Sequence, residues 1–349
     1  MKKILLLIAF IAMYKLGISQ EFNNTQLKIY GHIGYDFDKI GKSNDSYFSI
    51  GEQDFFVTSE ISKTVSFLGE TVVKYSSTSS TKYSPSIERA AIKFDYSGNH
   101  SIIIGKIHTP VNTWNDEYHH GRIFFPTIDR PLAFSGIVPM HTLGINMRGQ
   151  YLGSLNFGYD IVIGNGFGSC DIHESGEGKS IMIGAHIRPS ENSRIGVSYY
   201  NDYIKHNSTD IMSGMNGSSS YKGPINYEIY SFSYKNFSKR YQVINETGLN
   251  INKTDTLGKA HNFFCFNYLG LNIKSNSTLY VIGDYYSVSQ DDLYSTCGDQ
   301  LKIGVGYKYE FNERCCLKAQ LEKLETKDYG MIGGTSDQYS IKIQLAYGL

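Results

Sequence analysis

The last eleven residues, Tyr339 to Leu349, constrain the fold more than any other stretch of the chain. Tyr339, Ile341, Ile343, Leu345, Tyr347 and Leu349 alternate with Ser340, Lys342, Gln344, Ala346 and Gly348. A period of two gives a strand one apolar and one polar face. A soluble edge strand is more often short, charged or frayed at a chain end. Here the alternation runs to the last residue with aromatics near both ends, the character of a lipid-facing barrel strand between aromatic girdles.

The same pattern recurs through the chain. Leu27, Ile29, Gly31, Ile33 and Tyr35 are spaced by two, and so are Leu155, Phe157, Tyr159, Ile161 and Ile163. Leu301, Ile303, Val305, Tyr307, Tyr309 and Phe311 alternate with Lys302, Gly304, Gly306, Lys308 and Glu310. Each run is near the ~9–11 residues that a tilted strand needs to cross a bilayer. Sixteen candidate strands begin near residues 26, 47, 65, 87, 100, 142, 153, 181, 194, 227, 240, 261, 277, 299, 315 and 338. The count is good to about two strands, because weak runs such as 47–61 divide in more than one way. Helical periodicity does not compete, although 111–125 has room for one turn.

Connector lengths alternate. Ser97-Gly98-Asn99, Lys274-Ser275-Asn276 and Asn312-Glu313-Arg314 are tight turns of turn-forming residues, as are 189–193 and 236–239. Between them lie the longer links 76–86, 108–141, 164–180, 204–226, 288–298 and 325–337. Short periplasmic turns and long external loops produce that parity in an outer-membrane barrel. The expected fold is all-β, a transmembrane antiparallel barrel of about sixteen strands. Closure satisfies every strand's backbone groups, as the bilayer core requires.

The N-terminus fits the same compartment. Lys2 and Lys3, the apolar run Ile4 to Met13, and Gly17-Ile18-Ser19 read as a secretory signal over 1–19, cleaved after Ser19. Its apolar core is half the ~20 residues of a helical span, and Tyr14 and Lys15 close it. Residues 20–349 then form a single barrel domain, with no Pro-rich or Gly/Ser linker dividing it. Only Gln20 to Gln26 precede the first strand, too little for a plug domain.

Composition agrees with a barrel. The chain has 28 Tyr, 19 Phe, 35 Gly and 7 Pro, at 41% hydrophobic content. That content is no higher than in a soluble protein, because apolar and polar positions alternate. Loss of Lys2, Lys3 and Lys15 with the signal leaves a net charge of −3. No clustered basic surface calls for nucleic acid. Five Cys include Cys265 in a strand and the adjacent pair Cys315-Cys316, with no CxxC or zinc-type spacing. A Cys170–Cys297 bridge is compatible with an oxidising compartment.

Residues 108–141 carry the functional signal. This third external loop holds four of the ten His, four of the seven Pro and the single Trp. Ile123, Phe124, Phe125, Leu132, Phe134 and Ile137 are too many apolar side chains for a solvated loop, and a barrel lumen offers them a wall. The loop is expected to fold inward and narrow the pore with His108, Asn112, Trp114, Asp116, Glu117, Tyr118, His119, His120, Arg122, Asp129 and Arg130. Opposite in parity to the apolar faces lie Arg89, Lys93, Arg148, Arg188, Lys302, Lys308 and Lys342, the expected pore wall, with His186 and Lys318 on the same reckoning. Acidic partners there include Asp36, Glu70, Asp160, Asp284, Glu310 and Glu322, fewer in number, so the wall leans toward anions.

Two phrases extend the reading. Ile104-Gly105-Lys106-Ile107-His108-Thr109-Pro110, Tyr118-His119-His120-Gly121, Pro126-Thr127 and Arg130-Pro131 resemble a group of porin-like outer-membrane barrels of Gram-negative bacteria. Phe48 to Phe56 and the tail alternation fit the same group, so the likeness covers most of 26–160 and the C-terminus. The resemblance implies a barrel in the outer membrane, reached through the assembly machinery, with membrane lipid as surroundings. Homotrimers are common in that architecture. Members commonly end in Phe or Trp, whereas this chain ends in Leu349.

The expected function is a porin-like channel for passive diffusion of small polar or ionic solutes, with no cofactor and no covalent chemistry. The alternative is a non-conducting barrel whose external loops bind a ligand or partner. A metal site built on His119-His120 with His108, Asp116 and Glu117 is disfavoured, since adjacent side chains on an extended segment point apart. No metal is therefore assigned. An enzyme ranks third: no G-x-S-x-G, H-E-x-x-H or P-loop occurs. His206-Asn207-Ser208 echoes the trio of outer-membrane phospholipases only in name, because consecutive side chains diverge.

Overall fold

The computed structural model describes residues 24–76, 79–119, 121–166, 178–204, 224–256, 258–292, 298–328 and 334–349. The expected signal 1–19, His120, Cys170, Cys297 and 206–208 lie outside these residues. Each alternating run becomes one strand. These are β1 (Thr25–Ile40), β2 (Ser43–Ser62), β3 (Val65–Tyr75), β4 (Tyr83–Ser97), β5 (His100–His108), β6 (His141–Leu152), β7 (Phe157–Gly164) and β8 (Ser180–Ser190). The second half supplies β9 (Ser193–Ile204), β10 (Ile225–Phe237), β11 (Tyr241–Thr254), β12 (Gly258–Lys274), β13 (Ser277–Ser287), β14 (Gln300–Asn312), β15 (Cys315–Asp328) and β16 (Gly334–Gly348).

All sixteen close into one antiparallel barrel in which each strand pairs with its sequence neighbours and β1 pairs with β16. The weak run at 47–61 is not split: it lies inside β2, a strand of 20 residues. The first connection at the loop end, Gly41-Lys42, is as tight as the turns at the opposite end, so the length alternation is less strict than the sequence implied. Gly41 takes φ 57 there, the left-handed region a tight hairpin demands.

Period two is obeyed on β14. Ile303, Val305 and Tyr307 are 58%, 42% and 40% exposed on the outer face, while Lys302, Gly304 and Gly306 turn inward and are buried. An apolar outside on a closed barrel is what a bilayer requires. Among the described residues no helix is long and apolar enough to cross a membrane; the crossing is by strands. Gly105 marks a close approach of β5 to β4: at φ 136, an added Cβ would collide with the Ala90 carbonyl oxygen.

The inside is less uniformly polar than alternation alone predicts. Tyr227, Ile229, Ile244, Phe264, Phe266, Tyr268 and Tyr280, on β10 to β13, are buried in the barrel's main apolar cluster. They are buried because the 109–140 connection lies against them.

Candidate functional site

The 109–140 loop leaves the end of β5 and returns at the start of β6, whose terminal residues His108 and His141 are register partners. A short helix, α1 (Thr113–Glu117), follows the cap Asn112, whose side chain accepts from the Asn115 N–H. Two 3-10 turns, Arg122–Phe124 and Leu132–Ser135, shape the rest. Trp114, Phe125 and Ile137 are essentially fully buried. The Trp114 ring meets Phe266 edge-on at 5.3 Å and Phe125 at 5.5 Å. Such aromatic contacts add to the burial itself, roughly 1.5–3 kcal/mol per large apolar side chain.

Polar bonds then fix the register of the loop on the wall. Thr113 donates to Ser233 on β10, the Tyr227 hydroxyl donates to the Ile137 carbonyl at 2.7 Å, and Asp284 on β13 accepts the Leu132 N–H at 2.7 Å. From β15, the wholly buried Lys318 ammonium donates to the carbonyls of Arg122 and Thr127 at 2.5 and 3.0 Å. Gln320 accepts from the Ile128 N–H. Polar bonds thus anchor the loop to β10, β13 and β15, while its main apolar packing is on β10 to β13.

Charged loop residues fall into three sets. Asp116 receives Arg148 at 2.7 Å and Arg194 at 3.0 Å. Glu117 receives Arg188 at 2.9 Å, Arg194 at 3.4 Å and the Lys235 ammonium. Burial pushes both carboxyls up, but Arg148 and Arg194 hold Asp116 well below the usual carboxylate range, and Lys235 and Arg194 hold Glu117 below it. Arg122 and Arg130 face Glu52 on β2 at 3.5 and 3.8 Å, and both guanidinium groups lie over the Phe125 ring. Asp129 pairs with Lys342, which also reaches Glu322 at 2.6 Å; burial opposes its ionisation, but Lys342 keeps Asp129 at about 2. The loop carboxylates are therefore paired with cations of the barrel wall rather than with Arg122 and Arg130.

Of the expected wall residues, Arg148, Arg188 and Lys342 meet the loop. Arg89 binds Glu70 at 2.6 Å, Lys302 approaches Asp284 at 3.8 Å, Lys308 binds Glu310 at 2.7 Å and Lys93 binds Asp95 at 2.7 Å. Tyr118 packs on Trp114 at 5.4 Å beneath the Lys235 ammonium. Arg194, Lys235, Glu52 and Glu246 take part without having been singled out in the sequence. Arg194 was within reach, since Arg194, Gly196 and Ser198 follow the inward period. On β11 the signal is blurred: Asn245 and Thr247 occupy outward positions while apolar Ile244 points in.

The lumen left by the loop includes a cavity of about 490 Å³ on the β2 to β6 side. Arg89, Lys93, His108, Asp116, Asn146 and Arg148 line it, with Gln26, Thr58 and Glu60 near the turn end. Three imidazoles converge beside it: the His108 ring centroid is 3.9 Å from that of His119 and 5.1 Å from that of His141, and the latter two are 4.7 Å apart.

A closed sixteen-stranded barrel with an apolar outer belt and a long loop against its inner wall is the architecture of a membrane-spanning outer-membrane β-barrel. Solved structures with the same fold include an anion-selective porin from Comamonas acidovorans, 10% identical, covering 93% of this chain and 100% of that one at a TM-score of 0.64. The outer membrane channel DcaP of Acinetobacter baumannii is also 10% identical, over 94% and 98% of the two chains, with a TM-score of 0.64. The trimer form of OmpT from Vibrio cholerae is 9% identical over 93% and 100%, with a TM-score of 0.60. At these identities the likeness is one of fold. No protein-family model and no curated protein matches the sequence.

Proposed function

We propose that the protein is an outer-membrane porin-type channel of a Gram-negative bacterium, passing small polar or ionic solutes by passive diffusion with the 109–140 loop as its narrowing. The observation that carries this reading is the division of the interior. The loop seals the β10 to β13 wall through an apolar core, while the β2 to β6 side keeps a cavity of about 490 Å³ lined by charged and apolar side chains together. Fixed charges beside a narrow passage with low-dielectric walls act strongly on a passing ion. Arg89, Lys93 and Arg148 line the cavity and are the source of a modest lean toward anions, each moderated by its own carboxylate partner, Glu70, Asp95 and Asp116 respectively. The anion selectivity of the Comamonas porin, which shares the fold, supports that lean, and the trimeric OmpT supports a homotrimer embedded in membrane lipid. No covalent step, enzyme activity or cofactor belongs to this reading.

The depth of the apolar packing under the loop favours a second reading, a non-conducting barrel that presents ligand-binding external loops. Conductance of the purified protein in a planar bilayer separates the two. Discrete conductance steps are expected, and deletion of 112–135 should enlarge them while the barrel stays folded. A correctly folded protein that inserts and never conducts would overturn the channel reading.

A further inference from the structure

We propose that His108, His119 and His141 form a binding site for a divalent transition-metal ion, of the zinc, nickel or copper class, at the root of the 109–140 loop. One potential ligand nitrogen from each ring lies within 4.8 Å of the other two. Imidazole is a preferred ligand for all three metals. A Zn–N distance near 2.0–2.1 Å in a tetrahedron sets the nitrogens roughly 3.3 Å apart, so shifts of about an ångström bring three rings onto one ion. Sequence proximity pointed to His119-His120; the β5–β6 register instead brings in His141, 33 residues from His108.

The surroundings orient the rings. The Asn115 amide nitrogen donates to the carbonyls of Thr109 and Met140 at 2.7 and 2.9 Å, which fixes its oxygen toward His119. That oxygen is 2.8 Å from His119 Nδ1, and an amide oxygen can only accept, so Nδ1 carries the proton and the lone pair of the neutral ring sits on Nε2. His141 Nε2 lies 3.0 Å from a Glu88 carboxylate oxygen, which adds negative charge beside the three rings. A ring whose second nitrogen is held by a carbonyl or carboxylate is the arrangement that fixes tautomer and basicity in metal sites. Glu70, 3.9 Å from His108 Nε2, adds negative charge, partly offset by its partner Arg89 at 2.6 Å. His108 lines the lumenal cavity, which supplies the ion's route of entry. Three imidazoles leave at least one coordination position for water or a solute anion. Bound there, the ion ties both roots of the loop to the segment just beyond α1.

The single Trp114 is the reporter, since it precedes Asn115 in α1. Full-length protein is purified without a histidine tag, folded in detergent, stripped with chelator and titrated with nickel, a paramagnetic quencher, while Trp114 emission is followed. Zinc is then measured by calorimetry. One ion per chain is expected, with His119→Ala and His141→Ala each weakening binding at least ~10-fold and Asn115→Ala weakening it about 10–100-fold. His261→Ala, at an exposed strand position, should bind as the wild type does. Absence of stoichiometric binding, or wild-type affinity in both histidine variants, overturns the site. If those variants do not fold, X-ray absorption of the zinc-loaded wild type decides. A shell of three imidazole nitrogens at 2.0–2.1 Å supports the proposal, whereas a sulfur shell from Cys315 or Cys316, or oxygen alone, refutes it.

Discussion

Glu246, midway along β11, accepts the backbone N–H of Trp114 at 2.5 Å, and both residues are almost completely buried. Trp114 is the second residue of α1, so a wall carboxyl serves one of the N–H groups that a helix start leaves without an internal partner. The bond ties the loop's largest side chain to the strand it packs against. Glu246→Ala strands that buried N–H and should cost about 1–3 kcal/mol, while Glu246→Gln keeps an acceptor and costs less. Urea unfolding of the detergent-folded barrel, followed by Trp114 emission, measures both. Equal effects from the two substitutions would remove the bond from the account.

Arg122 and Arg130 share one carboxylate, Glu52. Replacing both by Gln leaves Glu52 uncompensated beside the loop. Cation preference should rise, read as a shift of the reversal potential in a salt gradient. An unchanged potential would place this cluster away from the ion path.

The strand faces are tested on β14. Tyr307 points outward and Lys308 inward, where it binds Glu310. Tyr307→Leu should be tolerated, whereas Tyr307→Lys should cost up to about 2–4 kcal/mol if the site is near the bilayer midplane. Lys308→Gln should leave folding nearly intact, as judged by the heat-dependent gel mobility of the barrel. Similar losses from Tyr307→Lys and Lys308→Gln would contradict the assignment of faces.

Acid should release the loop late. Asp116, Glu117 and Asp129 are held below the ordinary carboxylate range by Arg148, Lys235 and Lys342 respectively, against the opposing effect of burial. A carboxyl depressed in the folded state stabilises it fully above its unfolded value, about 4, and loses that contribution as pH falls through the folded value. For Asp129 that value is about 2. Trp114 emission should therefore hold steady from pH 7 to 4 and shift to the red only below about pH 3. A transition centred between pH 4 and 5 would mean that these ion pairs do not hold the loop.

The barrel was legible because membrane strands repeat one simple rule. The tail residues Ile341, Ile343 and Leu345 face out and Gln344 and Ala346 face in, as their parity requires. The loop's apolar excess was legible for the same reason: Trp114, Phe125 and Ile137 need a wall. Its seat was harder to read. Phe263, Phe264, Cys265 and Phe266 run unbroken on β12, which marks a strand whose inner face is apolar like its outer one rather than one with a wet interior. Pairings such as Glu117 with Lys235, or His108 with His141 and His119, depend on register and on the path of a loop, and no period in the sequence encodes them.

The turn at Arg122–Phe124 touches both ends of the sheet. Ile123 packs with Cys316 and Ala346, Tyr30 lies against the same cluster, and the Phe124 ring is 5.3 Å from Tyr30. Every other strand pair joins sequence neighbours, but β1 and β16 meet across almost the whole chain, with Tyr30 opposite Gly348. Distant contacts of this kind carry the entropy of closing a long loop and slow folding. A mid-chain residue bound to both edges divides that closure into two shorter searches. Ile123→Ala should accordingly slow refolding into detergent more than an alanine placed on the outer face of β14, in stopped-flow or gel-shift kinetics. The segment packed inside the barrel is then also the template on which the first and last strands find each other.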